Sequence, residues 1–185
     1  MVICIFPGTF NPIHIAHLRM AQFAVKTFGF EKIIFIPAYL PPHKEIDSNL
    51  AKHRYNMVKI ATEKNLRFSV SDIEYKSEGK SYTLITVKKI REQYGIEDRL
   101  NMIIGTDAFL NVKSWYKADE LKDLVHFIVF PRNNDLINPE DYIGYSYELV
   151  NSKKYDISST EIRKEQKEED ISEIKEYILK NELYN

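Results

Sequence analysis

The chain has 185 residues, near the usual size of one domain; 44% of them are hydrophobic, 29% are charged, and the formal net charge is −1. This is the balance of a soluble globular chain, which excludes a disordered segment, and the lack of a polybasic run excludes bulk nucleic-acid binding. Apolar runs such as Met102 to Ile104 and Phe127 to Phe130 are far too short to cross a bilayer, and no basic region followed by a long apolar stretch opens the chain, so the expected location is the cytoplasm.

Val2 to Phe6 is a short apolar run ended by Pro7-Gly8, which predicts a strand buried on both faces. Its Cys4, the only cysteine, reads as a buried and inert thiol and leaves no intrachain disulfide to form. Leu18, Ala21, Val25 and Phe28 recur at helical spacing, with Gly29 behind them as a C-cap. Lys32 to Pro37 reads as a second strand. After a Pro-rich loop, Leu50, Arg54, Met57, Val58 and Ala61 fit a helix opened by Ser48 or Asn49. Arg67 to Ser71 is a third strand, and Thr83 to Tyr94 a helix with Leu84, Val87, Ile90 and Tyr94 on one side and Gly95 behind it. Leu100 to Ile104 and His126 to Phe130 are further strands, the latter expected to be the last. From Ile157 onward the sequence is charged, and Ile162, Ile171, Ile174, Ile178 and Leu183 are the apolar remnant of a C-terminal helical cover, with Lys164 to Asp170 as a solvated helix end or turn. Strands alternating with helices predict an α/β fold, a doubly wound parallel sheet in a single domain over 1–185. Such sheets take ligands beyond their C-terminal strand ends, where the strand order reverses.

Gly8-Thr9-Phe10-Asn11-Pro12 then forms the first strand-to-helix loop, where backbone amides and the next helix N-terminus can face an anion. His14 and His17 are one helical turn apart, so both rings project from one face at that helix end. A donor pair there can neutralise the charge of a phosphoryl group in transfer. Two histidines at this spacing also suit zinc, but no third Cys, His or carboxylate follows at metal-site spacing and HIAH lacks the glutamate of HExxH, so the expected metal-ligand set is none. A purely structural pair remains open. Gly79-Lys80-Ser81 imitates the end of a P-loop, yet Glu74 stands where the first glycine should be, and the P-loop is rejected.

Gly8 to Leu18 resembles the GTFDPxHxGHL signature of nucleotidylyltransferases that share the histidine motif of class I aminoacyl-tRNA synthetases. Pro37-Ala38-Tyr39-Leu40-Pro41-Pro42-His43-Lys44, Ser81-Tyr82-Thr83, Ile104-Gly105-Thr106-Asp107, Trp115-Tyr116 and Ile157-Ser158-Ser159-Thr160-Glu161-Ile162-Arg163 resemble, in order and spacing, the bacterial nicotinate-nucleotide adenylyltransferase family. The resemblance covers nearly the whole chain and implies a Rossmann-like fold. The chain departs from the family pattern with Pro7-Gly8 for Gly-Gly, Asn11 for Asp, Ala16 for Gly, and Ile85-Thr86 where an acidic residue often stands.

The resemblance implies that a phosphate oxygen of nicotinate mononucleotide attacks the α-phosphorus of MgATP in line, without an enzyme nucleophile, giving deamido-NAD and pyrophosphate. Magnesium enters with ATP. It assigns catalysis to His14, His17, Lys44 and Arg163. ATP would be held by Gly8, Thr9, Phe10, His17, Gly105, Asp107, Arg132, Ser159, Thr160 and Arg163, and the mononucleotide by Asn11, Thr83, Trp115 and Tyr116. Simple readings exist beside these: Ser159 and Thr160 are also ordinary N-capping residues, Asp107 also suits a strand-to-helix turn, and a single tryptophan is usually core. The rival functions are adenylyl transfer to nicotinamide mononucleotide or phosphopantetheine, and a non-catalytic nucleotide sensor of the same fold. The expected partners are small molecules, with no nucleic acid and no membrane; a homo-oligomer is compatible with the sequence.

Overall fold

The computed structural model describes residues 2–42, 48–77, 79–131, 136–150 and 171–184. Six strands form one all-parallel sheet in the order β3-β2-β1-β4-β5-β6. They are β1 (Ile3–Gly8), β2 (Lys32–Pro37), β3 (Phe68–Val70), β4 (Leu100–Gly105), β5 (Val125–Phe130) and β6 (Ser146–Leu149). The helices are α1 (Ile15–Phe28), α2 (Leu50–Thr62), α3 (Thr83–Tyr94), α4 (Thr106–Phe109), α5 (Ala118–Leu124) and α6 (Ser172–Lys180). The doubly wound α/β arrangement is as expected, with one correction: β5 is not the last strand, because β6 adds a parallel edge strand beyond it. The expected cover is represented by α6, while 151–170 lie outside the described residues.

Side chains of successive strand residues point to opposite faces, and this alternation builds two cores. Cys4, Phe6, Ile33, Phe35, Ile128 and Phe130 face one side and pack with Met20 and Phe23 of α1, Met57 and Val58 of α2, and Ile174 of α6. Ile3, Ile5, Ile34, Ile36, Met102, Ile104 and Val129 face the other and pack with Leu84, Val87 and Ile90 of α3 and Leu121 of α5. Cys4 is fully buried, and burial pushes its thiol far above the ordinary range, so it is inert. Tyr94, expected on the inner side of α3, is exposed at the last residue of the helix instead. Both predicted glycine C-caps hold: Gly29 and Gly95 are left-handed, with φ of 71° and 62°, and their amides close the last turns of α1 and α3.

The strand order reverses between β1 and β4. Among the described residues the ladder joining these two strands covers only Cys4 with Asn101 and Ile5 with Met102, although both strands run on by three residues. Pro7 contributes to this separation. The Ala38 amide donates to the Gly8 carbonyl at 2.9 Å, so the polar groups of Gly8 face β2; strand alternation turns the nitrogen of Pro7 toward β4. Proline has no N–H to offer there. The two central strands therefore separate at their C-terminal ends, and the loops after β1 and β4 flank the gap.

Candidate active site

The loop after β1 is shaped by Phe10. Its backbone is left-handed (φ 48°), and its ring turns inward until only 3% of the residue is exposed, against Phe6 and Phe35. A Cβ at position 8 would lie 2.8 Å from the tip of that ring, which is why a glycine stands there. Phe10 was expected among the ATP-binding residues; its side chain is spent on packing, which leaves only its backbone for a ligand.

His14 caps α1, and the cap orders the histidine pair. The His14 amide donates to Nδ1 of His17 at 3.2 Å, and the His17 amide donates to the His14 carbonyl at 3.0 Å. With Nδ1 accepting, a neutral His17 ring carries its proton on Nε2, where it is a donor. The two imidazoles lie 3.7 Å apart at 30°, and the rings of Phe10 and Phe6 flank His17 at 5.0 and 5.9 Å. The side-by-side projection expected from the one-turn spacing is present. His17 is nearly buried and His14 half-buried, so the pair is held rather than free to swing.

Beneath the loop lies Arg54 of α2, which sequence reasoning placed on the apolar helix face and gave no role. It is fully buried. Its Nη1 donates to the carbonyls of Thr9 at 2.8 Å and Ala38 at 2.6 Å, and its Nη2 donates to that of Tyr39 at 3.0 Å. One guanidinium thus ties the loop after β1 to the loop after β2. Glu74, also buried, accepts from the Tyr39 amide at 3.3 Å and the Thr86 hydroxyl at 2.7 Å, and is bonded by the Ser81 hydroxyl. Burial pushes the Glu74 carboxyl up, while these donors and the charge of Arg54 pull it partly back. Burial likewise lowers the guanidinium of Arg54, offset in part by the charges of its neighbours. Ser81 Oγ accepts the amides of Tyr39 and Leu40 at 3.1 Å each, which fixes the start of α3 to the same loop.

Thr83 is the first residue of α3. Its neighbour Tyr82 stacks on exposed Tyr116 at 4.6 Å and 35°, which brings two of the expected mononucleotide residues to one place. Trp115 packs partly buried on the second core, so it is at least half the core residue that a lone tryptophan usually is. Gly105 ends β4 beside the gap and caps α4, and Asp107 stands exposed in the first turn of α4. Asn11 is exposed in the first loop, with its Oδ1 accepting from the hydroxyl of Tyr184 at 2.5 Å. Lys44, Arg132, Ser159, Thr160 and Arg163 lie outside the described residues. Arg54, Glu74 and Tyr184 are the site neighbours that motif reading missed, while Ser81 was read as part of the Ser81-Tyr82-Thr83 block without a role of its own; a charged residue inside an apolar helical stripe was the one signal available for Arg54. A cleft of about 250 Å³ at the outer sheet edge, lined by Lys32, Ser69, Asp72 and Lys76 among others, shares no residue with this site.

A six-stranded parallel sheet that parts at its switch point, with paired histidines at the start of the first helix, is the place where folds of this α/β class take their ligands. The family model described as cytidylyltransferase-like matches residues 5–165. A protein of Fusobacterium nucleatum subsp. nucleatum described as a probable nicotinate-nucleotide adenylyltransferase is 40% identical over 93% of this chain and 91% of its own. One of the same description from Caldicellulosiruptor saccharolyticus is 36% identical over 100% and 99%. The solved nicotinic acid mononucleotide adenylyltransferase of Plasmodium falciparum, complexed with NaAD, superposes with a TM-score of 0.72 and 25% identity, covering 98% of this chain and 96% of that one. The chain belongs to the cytidylyltransferase-like family, in its nicotinate-nucleotide adenylyltransferase branch.

Proposed function

We propose that this protein transfers the adenylyl group of ATP to nicotinate mononucleotide, forming deamido-NAD and pyrophosphate. The observation that carries the reading is the locked histidine pair at the N-terminus of α1, beside a gap in the sheet that no strand pairing closes among the described residues. A phosphate oxygen of the mononucleotide attacks the α-phosphorus of ATP as the bond to the β-phosphate oxygen breaks and pyrophosphate leaves. No enzyme nucleophile is formed, so catalysis reduces to placing two anions together and meeting the charge that accumulates. Nε2–H of His17 and the His14 ring supply donors at the first helix, with Gly8, Thr9 and the Phe10 backbone forming the α-phosphate loop. Lys44 and Arg163, with Ser159 and Thr160, take the departing pyrophosphate. Gly105, Asp107 and Arg132 serve the adenosine. Asn11, Thr83, Trp115 and Tyr116 hold the mononucleotide.

Magnesium enters as part of the ATP substrate. Among the described residues no group of three His, Cys, Asp or Glu side chains that could hold a metal ion is present; bound with ATP, the ion would offset negative charge on the phosphates. Among those residues, too, no helix is long and apolar enough to cross a membrane, and we place the enzyme in the cytoplasm in a single domain.

The test offers the purified protein MgATP with nicotinate mononucleotide, nicotinamide mononucleotide or phosphopantetheine and follows pyrophosphate release. A carboxylate only accepts hydrogen bonds, whereas the amide presents an NH2 that collides with donors fixed for the acid. One mismatched donor and one lost charge-assisted bond together favour the acid by about 10² or more in kcat/KM. A ratio near one makes the protein a dual-specificity enzyme, and a preference for the amide refutes the pocket assignment. ATP binding with no pyrophosphate release from any acceptor refutes the enzyme.

A further inference from the structure

The far end of the described chain returns to the first loop. Tyr177 of α6 is anchored on α2, its hydroxyl 3.0 Å from both Nδ1 of His53 and Nδ2 of Asn56. After α6 the chain doubles back through Glu182 and Tyr184, both left-handed, with φ of 52° and 63°. Non-glycine residues adopt that conformation only where surrounding contacts hold them in it. Here the contacts are Leu183, nearly buried, and the Tyr184 hydroxyl, which donates to Oδ1 of Asn11 across 173 residues of sequence. Packing of the chain end accounts for Leu183. It does not account for a hydroxyl aimed at the exposed amide of the loop that flanks the sheet gap.

Chemistry gives that bond a use. An Asn side chain can present either its oxygen or its NH2, and its neighbours decide which. A hydroxyl donating to Oδ1 leaves the NH2 as the group available to a ligand, and a donor suits the phosphate and ribose oxygens of a nucleotide. We propose that Tyr184 is a positioning residue that holds the Asn11 amide so that its NH2 donates to the acceptor mononucleotide. Burial raises the phenol, against a smaller opposing pull from the charge of Arg54, so the hydroxyl keeps the proton it donates. The proposal rests on the function given above and on Asn11 serving the mononucleotide.

Steady-state kinetics on the wild type, Tyr184→Phe, Asn11→Ala and the double variant tests it. Tyr184→Phe should raise KM for nicotinate mononucleotide about five- to tenfold, the scale of one lost neutral hydrogen bond, with kcat and the ATP KM within about twofold. Tyr184 is 44% exposed and keeps its ring in this variant, so the melting temperature should stay within about 2 °C. The double variant should match Asn11→Ala alone, because the hydroxyl acts only through the amide. Additive effects, a rise confined to the ATP KM, or an unchanged Tyr184→Phe beside an impaired Asn11→Ala overturns the proposal and leaves the function standing. An unaffected Asn11→Ala removes the mononucleotide role of Asn11 and the proposal with it. Absence of adenylyl transfer in the wild type overturns the function itself.

Discussion

Arg54→Met removes a buried guanidinium of similar length and leaves its partners in place. The carbonyls of Thr9, Ala38 and Tyr39 lose their charged donor, and Glu74 loses the positive charge that pulls its carboxyl down. Removing one member of a buried charged group costs about 3–5 kcal/mol. For a chain of this size each kcal/mol lowers the melting temperature by about 2–4 °C, so the expected fall is roughly 6–20 °C near neutral pH. The pH dependence separates this cause from simple loss of packing. In the variant the folded Glu74 carboxyl is raised further above its unfolded value, so the folded state holds a proton where the unfolded state has released it. Stability then falls as pH rises from the unfolded carboxylate value, about 4.3, through the raised folded one. The deficit should therefore be smaller near pH 4.5 than near pH 7.5, and adding Glu74→Gln to Arg54→Met should flatten that slope. Calorimetric scans across this range give the measurement. A melting temperature within about 3 °C of wild type at pH 7.5, or a deficit equal at all pH values, would refute the reasoning.

His17→Ala should lower turnover by about 10²-fold or more while ATP binding falls less, because its Nε2 donor acts on charge that develops in the transition state; His14→Ala should act similarly, and near-normal turnover in both would remove their catalytic role. Arg163→Lys should raise the KM for ATP more than that for the mononucleotide, since an ammonium lacks the planar fork that grips pyrophosphate oxygens; equal changes in both constants would displace the arginine from that end of the site.

Where local chemistry decides structure, the sequence was readable. β2 and α3 have the predicted bounds, Lys32–Pro37 and Thr83–Tyr94, because a β-branched run closed by proline and an apolar stripe closed by a left-handed glycine each admit one reading. β6 escaped notice: Ser-Tyr-Glu-Leu sits on a half-exposed sheet edge, where no apolar run marks it. α4 and α5 are too short for a helical period to show. In the site, the spacing puts His14 and His17 together at the start of α1, and the capping bonds between them set their geometry. Arg54 was legible as a member of the buried face of α2, but its meaning depends on carbonyls from loops that only the folded sheet brings beside it. Tyr184 lies still further from prediction, since nothing in the local sequence points the last turn at Asn11.

Under the proposed function, Pro7 bears on how a nucleotide enters. Two parallel strands left flush would zip to their ends, and a ligand would first have to unfasten them at about 1 kcal/mol for each backbone bond broken. A residue with an N–H at position 7 would invite that zipping; a pyrrolidine nitrogen turned toward β4 cannot take part in it. The doorway between β1 and β4 is thus propped open by covalent structure before any substrate arrives. At that corner the chain has a fixed φ and a stop, trading freedom of the backbone for an entrance that stands ready.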